Sequence, residues 1–338
     1  MHVDQLDAGP NVVISGSLAY DYIMSFPGSY KDHILLDKVH VLSVSFLFDS
    51  LQRLRGGIAG NIAYNLALLG ERPAVVGAGG GDFEPYRAAF DRLGIDSTLV
   101  VDAPELLTGS SFMLNDLAGN QIAGFYPGAS IVAADVSVAE VATRARFGVV
   151  GATTLEAMGR HVGEIAAAGC RLVYDPSQQV VAAPAEDLKA GIELAWAFTG
   201  SDYEFAMLER KTGLSIDAVA DRVPFVVVTY GAEGSTIITG GRRIPIPIVA
   251  PSPLQDPTGG GDAFRAGLLK GLLLGFEPEV AGRMAALAAT YAIERYGTQE
   301  HAYDAGPFVE RFEQNFPDVV GVLSEGMLKS PAPPAPSR

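Results

Sequence analysis

The chain has 338 residues, long enough for one large domain or two ordinary ones, and its 48% hydrophobic and 19% charged content excludes a disordered chain. Thirty-nine acidic residues against 24 basic ones give a net charge of −15, which disfavours nucleic-acid backbones and anionic membranes as partners. A single cysteine rules out an intrachain disulfide and a Cys-rich zinc motif.

The first ten residues carry Asp4 and Asp7 and no basic region, so they read as a tail and not as a signal peptide. Asn11–Gly16 reads as a buried strand, and Val39–Phe48 as a partly alternating strand with no neighbouring helix. Ala59–Gly70 reads as a helix closed by Gly70, Pro73–Gly77 as a strand, and Asp82–Leu93 as a helix with Asp82 at its N-cap. Gly109–Asn115 and Gln121–Tyr126, joined by a turn at Leu117–Asn120, read as a β-hairpin. Phe147–Gly151, Arg171–Asp175, Trp196–Thr199 and Phe225–Thr229 are further apolar strands, with helices at Leu155–Ala168 and Tyr203–Thr212. Cys170, just before one of these strands, reads as a packed, inert thiol. Gly261–Leu274 and Glu277–Tyr296 read as long helices. The apolar stretch Phe264–Phe276, interrupted by Arg265 and Lys270, is too short and too charged to span a bilayer. The chain therefore reads as cytoplasmic. Residues 330–338, SPAPPAPSR, read as a disordered tail.

Near-continuous apolar strands alternating with helices predict an α/β fold with a mostly parallel sheet covered on both faces. Val39–Phe48 and the hairpin fit no βαβ unit. They form either a small separate sheet, a lid inserted at about 18–55 and 107–130 of a domain spanning 11–329, or edge strands of the main sheet.

The strongest chemical signal is Asp256–Gly267, DPTGGGDAFRAG. Three glycines before an apolar helix free backbone N–H groups for an anion, and the helix N-terminus adds unpaired donors and a positive dipole end. Asp262 in that position reads as a general base or as a helix cap. The run GAGGGD at Gly77–Asp82 only partly matches a dinucleotide loop, and the chain contains no G-x-x-x-x-G-K-[ST], which excludes a P-loop kinase. A nucleoside- or sugar-sensing protein without turnover is the non-enzymatic alternative.

DPTGGGDAFRAG resembles the C-terminal signature of the ribokinase-like carbohydrate and purine kinases, and Gly56–Gly70 (GGIAGNIAYNLALLG) resembles their upstream signature. The resemblance spans about Val12 to Tyr303. GSLAYD (Gly16–Asp21), FYPGA (Phe125–Ala129), DPSQQ (Asp175–Gln179) and GTQE (Gly297–Glu300) are similar to actinobacterial adenosine kinases. The resemblance implies a three-layer α/β/α sandwich with a β lid and an ATP- and Mg²⁺-dependent kinase. Its acceptor would be a nucleoside such as adenosine, or a sugar of the ribose or fructose type. Asp262 would be the base, with Gly259, Gly260 and Gly261 stabilising the transferring phosphoryl group. Asp21, Gly57 and Asn61 would hold the ribose, though Asp21 alone reads equally as a strand-end turn residue and Asn61 as a helix cap. Gln179 would read a purine edge or a sugar hydroxyl, and Phe112 and Phe125 would stack on the base, the two phenylalanines being otherwise core. Thr229, Gly231 and Gly234 would take the nucleotide. Glu204 matches the glutamate of an Asn-x-x-Glu magnesium motif, with Ser201 where the family has asparagine. Asp256, Thr258 and Gly297 match positions that bind a monovalent cation such as K⁺ in some relatives. Lid strands pair two subunits in some relatives, which makes a homodimer an expectation by analogy.

Overall fold

Residues 9–33, 44–118 and 120–329 of the protein are described by a computed structural model. In chain order they form β1 (Val12–Ser15), β2 (Ala19–Phe26), β3 (Ser50–Gly56), α1 (Ile58–Leu68), β4 (Ala74–Gly80), α2 (Glu84–Leu93), β5 (Asp96–Ala103), β6 (Gly109–Asp116) and β7 (Gln121–Tyr126). Then follow α3 (Ala139–Ala142), β8 (Phe147–Val150), α4 (Leu155–Ala167), β9 (Arg171–Tyr174), α5 (Gln179–Ala182), α6 (Ala185–Leu194), β10 (Ala197–Ser201), α7 (Asp202–Thr212) and α8 (Ile216–Ala220). The last third contributes β11 (Phe225–Thr229), β12 (Ser235–Thr239), β13 (Arg242–Ile246), α9 (Gly260–Leu273), α10 (Pro278–Ile293) and α11 (Ala305–Asn315).

Nine strands form one sheet in the order β13-β12-β11-β10-β9-β8-β1-β4-β5, parallel from β11 to β5, with β12 and β13 antiparallel. The short apolar runs are continuous because both faces are covered. Val12 and Ile14 of β1 enter a cluster with Ile62, Phe90, Leu268 and Ala285, from α1, α2, α9 and α10. Val13, between them, enters a second cluster with Met158, Leu188 and Leu208, from α4, α6 and α7. This is the predicted α/β/α sandwich, a ribokinase-like fold.

β3, β2, β6 and β7 form a separate four-stranded sheet and extend no edge of the main one. This settles the alternative in favour of a second sheet, but its strands differ from the expected ones. Residues 44–48 form no strand, and 39–43 lie outside the described residues, as do residues 1–8 and the Pro-rich tail at 330–338. The pairing strand is Ser50–Gly56, whose first residues are exposed and carry little apolar alternation. Asp82 is also corrected. Phe83 precedes α2, while the Asp82 carboxylate accepts the Thr108 N–H at 2.7 Å and pairs with Arg53. β5, β12, β13, α6, α8 and α11 were not foreseen. β5 is half polar, and β13 contains Pro245, which the edge of a sheet tolerates. Among the described residues, no helix is long and apolar enough to cross a membrane.

The predicted hairpin is held by one side chain. Asp116 accepts from the backbone N–H groups of Ala118 (2.9 Å), Asn120 (2.7 Å) and Tyr30 (2.9 Å) and from the Asn120 amide (2.8 Å). These bonds hold its carboxyl down at about 2, against the desolvation that would raise it. Asp116→Ala is expected to accelerate amide exchange at Tyr30, Ala118 and Asn120 while β1 and β8 keep their protection. Unchanged exchange at all three positions would show that Asp116 does not hold the turn.

Candidate active site

The parallel strands end on one edge, and the signature segments gather there. β10 and β11 pair so that Ser201 sits opposite Thr229. β8 and β9 bring Val150 beside Tyr174, just before Asp175. Ligands in open α/β sheets bind outside these carboxyl ends.

Helix α9 begins at Gly260, with Gly259 as its N-cap in the left-handed region at φ 79°. A side chain on Gly259 would also meet Thr298 at 2.8 Å, so the turn requires glycine for conformation and for space. Asp262 lies inside the first turn and is not the cap. The backbone N–H groups of Gly261 and Asp262 have no acceptor among the described residues, as expected of a free helix start.

The Asp262 side chain is 14% exposed and held from two sides. Asn61 Nδ2 donates to one carboxylate oxygen at 2.8 Å, across 201 positions of sequence. Arg265 approaches the other at 3.4 Å. Asn61 is in turn fixed by the GTQE segment. Its side-chain oxygen accepts from Thr298 Oγ1 at 2.8 Å and from Gln299 Nε2 at 3.0 Å. Gln299 also donates to the Tyr86 hydroxyl at 2.6 Å, and that hydroxyl donates to the Gly56 carbonyl at 2.9 Å. Asn61 is therefore not a helix cap. The first N–H groups of α1, those of Ile58 and Ala59, are taken by the hydroxyl and carbonyl of Ser17. Gly57 precedes them at φ 88°, where a side chain would lie 2.5 Å from the Ser17 carbonyl.

Asp21 lies on β2 with 6% exposure, its carboxylate in the space that a Cβ on Gly56 would fill. No hydrogen bond from the described residues reaches it. Burial first, then the charge of Asp256, raises its carboxyl to about 7. Asp262 also rises to about 7, chiefly through burial, with the charges of Asp21 and Glu204 adding and the Asn61 hydrogen bond opposing.

Register separates the two lid phenylalanines. Asp21, Leu54, Ser111 and Phe125 stand in one cross-strand row, and paired residues share a face. The next row, Tyr22 and Phe112, faces the other way, and these rings stack at 5.0 Å. Phe125, 56% exposed, thus shares a face with Asp21, and Phe112 does not. Gln179 donates to the Thr153 carbonyl at 2.6 Å, which occupies one of its amide hydrogens.

Ser201 caps α7 in a capping box. Its hydroxyl accepts the Glu204 N–H at 3.2 Å, and its own N–H donates to Glu204 Oε2 at 2.7 Å. Gly231 and Gly234 follow β11 at φ 58° and 92°. Asp256 accepts the N–H groups of Thr258 at 2.9 Å and Gly297 at 3.2 Å, which ties the glycine loop to the GTQE turn. Cys170 packs beside the second core cluster, and burial pushes its thiol up to about 11.

The residues that sequence reasoning passed over are Ser17, Thr298, Gln299, Asp175 and Arg265. The legible signal for Arg265 was a charge inside an apolar helix. Lys270 is the parallel case, 3% exposed and paired with Glu71 at 2.7 Å.

The raised Asp262 carboxyl has a consequence for stability. It titrates near 7 when folded and near 4 when unfolded, so the folded chain holds the extra proton between those values. Stability from this group is fullest in acid, falls as pH rises through that window, and stays low above it. Asp262→Asn removes the buried charge. Its Tm is expected to exceed the parent's at about pH 8, with the gap narrowing towards about pH 5. An equal gap at both pH values would show that Asp262 titrates normally.

A family model described as pfkB family carbohydrate kinase matches residues 30–305. A nucleoside kinase of Methanothermobacter thermautotrophicus is 32% identical over 301 residues, covering 88% of this chain and 94% of the relative. The solved structure of a Burkholderia thailandensis nucleoside kinase in complex with inosine is 36% identical. It superposes with a TM-score of 0.83 and covers 90% of this chain and 98% of that one. The same Burkholderia enzyme has been solved in complex with ADP and inosine, and superposes with a TM-score of 0.80. The signature loop, the strand-end site and these likenesses agree, and the chain belongs to the pfkB family of carbohydrate kinases.

Proposed function

We propose that the protein transfers the terminal phosphoryl group of ATP to the primary hydroxyl of a purine nucleoside, with adenosine as the first acceptor to test. The observation that carries this reading is Asp262 itself. It is a largely buried carboxylate clamped at the open start of α9, beside two N–H donors with no acceptor among the described residues. A carboxylate has no place in a plain anion hole, but it suits one where a hydroxyl must lose its proton.

The acceptor oxygen attacks the terminal phosphorus, the bond to ADP breaks, and the hydroxyl proton passes to Asp262. The free N–H groups of Gly261 and Asp262 face the charge that develops on the phosphoryl oxygens, with Gly259 and Gly260 shaping the turn. Asp21, which no hydrogen bond from the described residues reaches, accepts from the ribose hydroxyls, and Gly57 allows close approach. Asn61 keeps its second amide hydrogen for the sugar. Phe125 offers a ring to the base from the Asp21 face, and Gln179 its remaining amide hydrogen. The β2–β3–β6–β7 sheet covers the acceptor and keeps out competing water.

Thr229, Gly231 and Gly234 would line the nucleotide. Mg²⁺, when bound, would neutralise charge on the phosphates. Glu204 fits a water-mediated hold on it, since Oε2 is taken by Ser201 and Oε1 remains. Among the described residues, no group of three acidic, His or Cys side chains could hold a metal. Asp256 could join a K⁺ site with Thr258 and Gly297 only through lone pairs left over from its two backbone hydrogen bonds.

An unphosphorylated acceptor is favoured because the β3 arginines are already paired, Arg53 with Asp82 and Arg55 with Glu300 at 3.5 Å. The nucleoside reading draws on the two nucleoside kinases to which the chain is similar. The adenosine choice draws on the GSLAYD, FYPGA, DPSQQ and GTQE stretches.

Steady-state turnover of adenosine, inosine, ribose and fructose with ATP and Mg²⁺ tests the acceptor. Purine nucleosides should show the highest kcat/KM, and a clear preference for ribose or fructose would sink the nucleoside assignment. Asp262→Asn should lower kcat by roughly 10²–10⁴ with little change in nucleotide affinity. The parent's kcat/KM should rise with pH through about 7, because Asp262 must be ionised to act. A folded Asp262→Asn protein within about threefold of the parent, far from the loss expected of a missing base, would remove Asp262 from the chemistry.

A further inference from the structure

The geometry points to Arg265, anchored by Asp175, as a positioning residue that fixes the Asp262 carboxylate for proton abstraction. The inference rests on the reading of Asp262 as the base. Its footing is a chain of three charged side chains, Asp175 after β9 and Arg265 and Asp262 on the first turns of α9. Asp175 follows β9 and is fully buried. One of its oxygens accepts the backbone N–H and the hydroxyl of Ser177, at 3.1 and 2.7 Å. The other oxygen accepts no hydrogen bond and faces the Arg265 guanidinium as an ion pair. Nε donates its hydrogen to Thr199 Oγ1 on β10 at 3.3 Å, and Arg265 Nη1 reaches Asp262 at 3.4 Å. The Arg265 side chain is 13% exposed.

A buried ion pair is poor value for stability alone. Desolvation costs several kcal/mol per ion, and an apolar pair of similar volume often does as well or better. Here the pair stands one helical turn from the reacting carboxylate, which gives its position a reason. Asn61 secures one Asp262 oxygen, and by itself leaves the carboxylate free to pivot about that bond. Arg265 on the other oxygen sets the plane. An arginine can do this because its planar fork meets several partners at once, with Nε donating to Thr199, the Asp175 carboxylate beside it as counter-charge, and Nη1 on Asp262. Lysine, a single point charge on a flexible stem, cannot reproduce that fork. Gly261 completes the arrangement, since a Cβ there would lie 2.8 Å from Nη1. The third glycine of the loop thus makes room for the guanidinium as well as for a ligand.

The charge balance points the same way. Asp21 and Glu204 are close enough for their charges to raise the Asp262 carboxyl, after burial. Arg265 sets a positive charge against this group, and Asp175 keeps that charge in place. Asp175 opens the DPSQQ stretch, so the stretch serves the base through its aspartate, whatever its glutamines contact.

The test compares Arg265→Met, Arg265→Lys, Asp175→Asn and Asp262→Asn in the full chain, with kcat, both KM values, the pH profile and Tm measured for each. Arg265→Met should lower kcat by about 10²-fold, the cost of a misplaced catalytic group, with both KM values within about threefold. Its ascending pH limb should move to higher pH than the parent's. Arg265→Lys should recover only part of kcat. Asp175→Asn keeps the size and the Ser177 contacts, and should lower kcat by about tenfold as the guanidinium loses its anchor. A role confined to folding would lower Tm and leave kcat and the pH limb of the folded protein unchanged, which would overturn the inference. If Arg265→Met does not fold, Arg265→Lys and Asp175→Asn decide it, and parental kcat in either folded variant overturns it. An inactive Asp262→Asn beside fully active Arg265 and Asp175 variants would refute the positioning role alone. An active Asp262→Asn would instead refute the reading beneath it.

Discussion

The hydrogen bond from Asn61 to Asp262 joins the first helix of the chain to the ninth, and most of the site depends on it. A buried carboxylate at a helix start has no fixed direction of its own. Asn61 supplies one, and it can do so because Thr298 and Gln299 hold its oxygen and leave its nitrogen to point at Asp262. Removing a partner from such a network leaves buried polar groups unmatched, at about 1–3 kcal/mol each. The network also reaches the small sheet, since Gln299 bonds Tyr86 and Tyr86 bonds Gly56 at the end of β3. The Thr298 hydroxyl lies 3.0 Å from the Arg55 carbonyl on the same strand. The strand that bears on the acceptor side and the carboxylate that would take its proton therefore share one set of hydrogen bonds.

The second constraint is electrostatic. Asp21 and Asp262 are both held near neutrality by burial, each beside further acids. A fold selected only for stability would not place them so. Their cost is tolerated because the main sheet, buried on both faces, provides a large apolar core. A carboxyl poised near neutral pH also suits proton transfer better than one ionised at pH 4.

Much of this was legible in the chain. Short apolar runs separated by helices foretold the parallel sheet, and three glycines before Asp262 foretold the open helix start. Local chemistry was enough for these features because backbone sterics and burial decide them. The missing features depend on distance in sequence. Nothing near Asn61 reveals that it meets Asp262, or that Thr298 and Gln299 hold it, because those contacts exist only after the fold closes. Ser50–Gly56 forms its strand by pairing with β2, not through its own pattern, and the neighbouring Val39–Phe48 carried the stronger local signal. The opposite facing of Phe112 and Phe125 follows from strand register, which side-chain type cannot show. Arg265 was visible as an anomaly, a charge inside an apolar helix, but its partners at Asp175 and Thr199 were not.

The pairing of Lys270 with Glu71 has a further consequence. Asn61 near the start of α1 meets Asp262 near the start of α9. Glu71, just past the end of α1, meets Lys270, about 12 Å of helical rise beyond Asp262. The two helices therefore lie side by side and run in the same direction. Aligned dipoles repel, and the two polar clasps hold them against that repulsion. Both positive ends then open at the same rim of the sheet, each equivalent to roughly half an elementary charge. In a protein of net charge −15, these backbone ends set partial positive charge against the carboxyls of Asp21 and Asp262 at the same site. The backbone part does not titrate, so the charge an incoming anion meets there changes with pH only through those carboxyls.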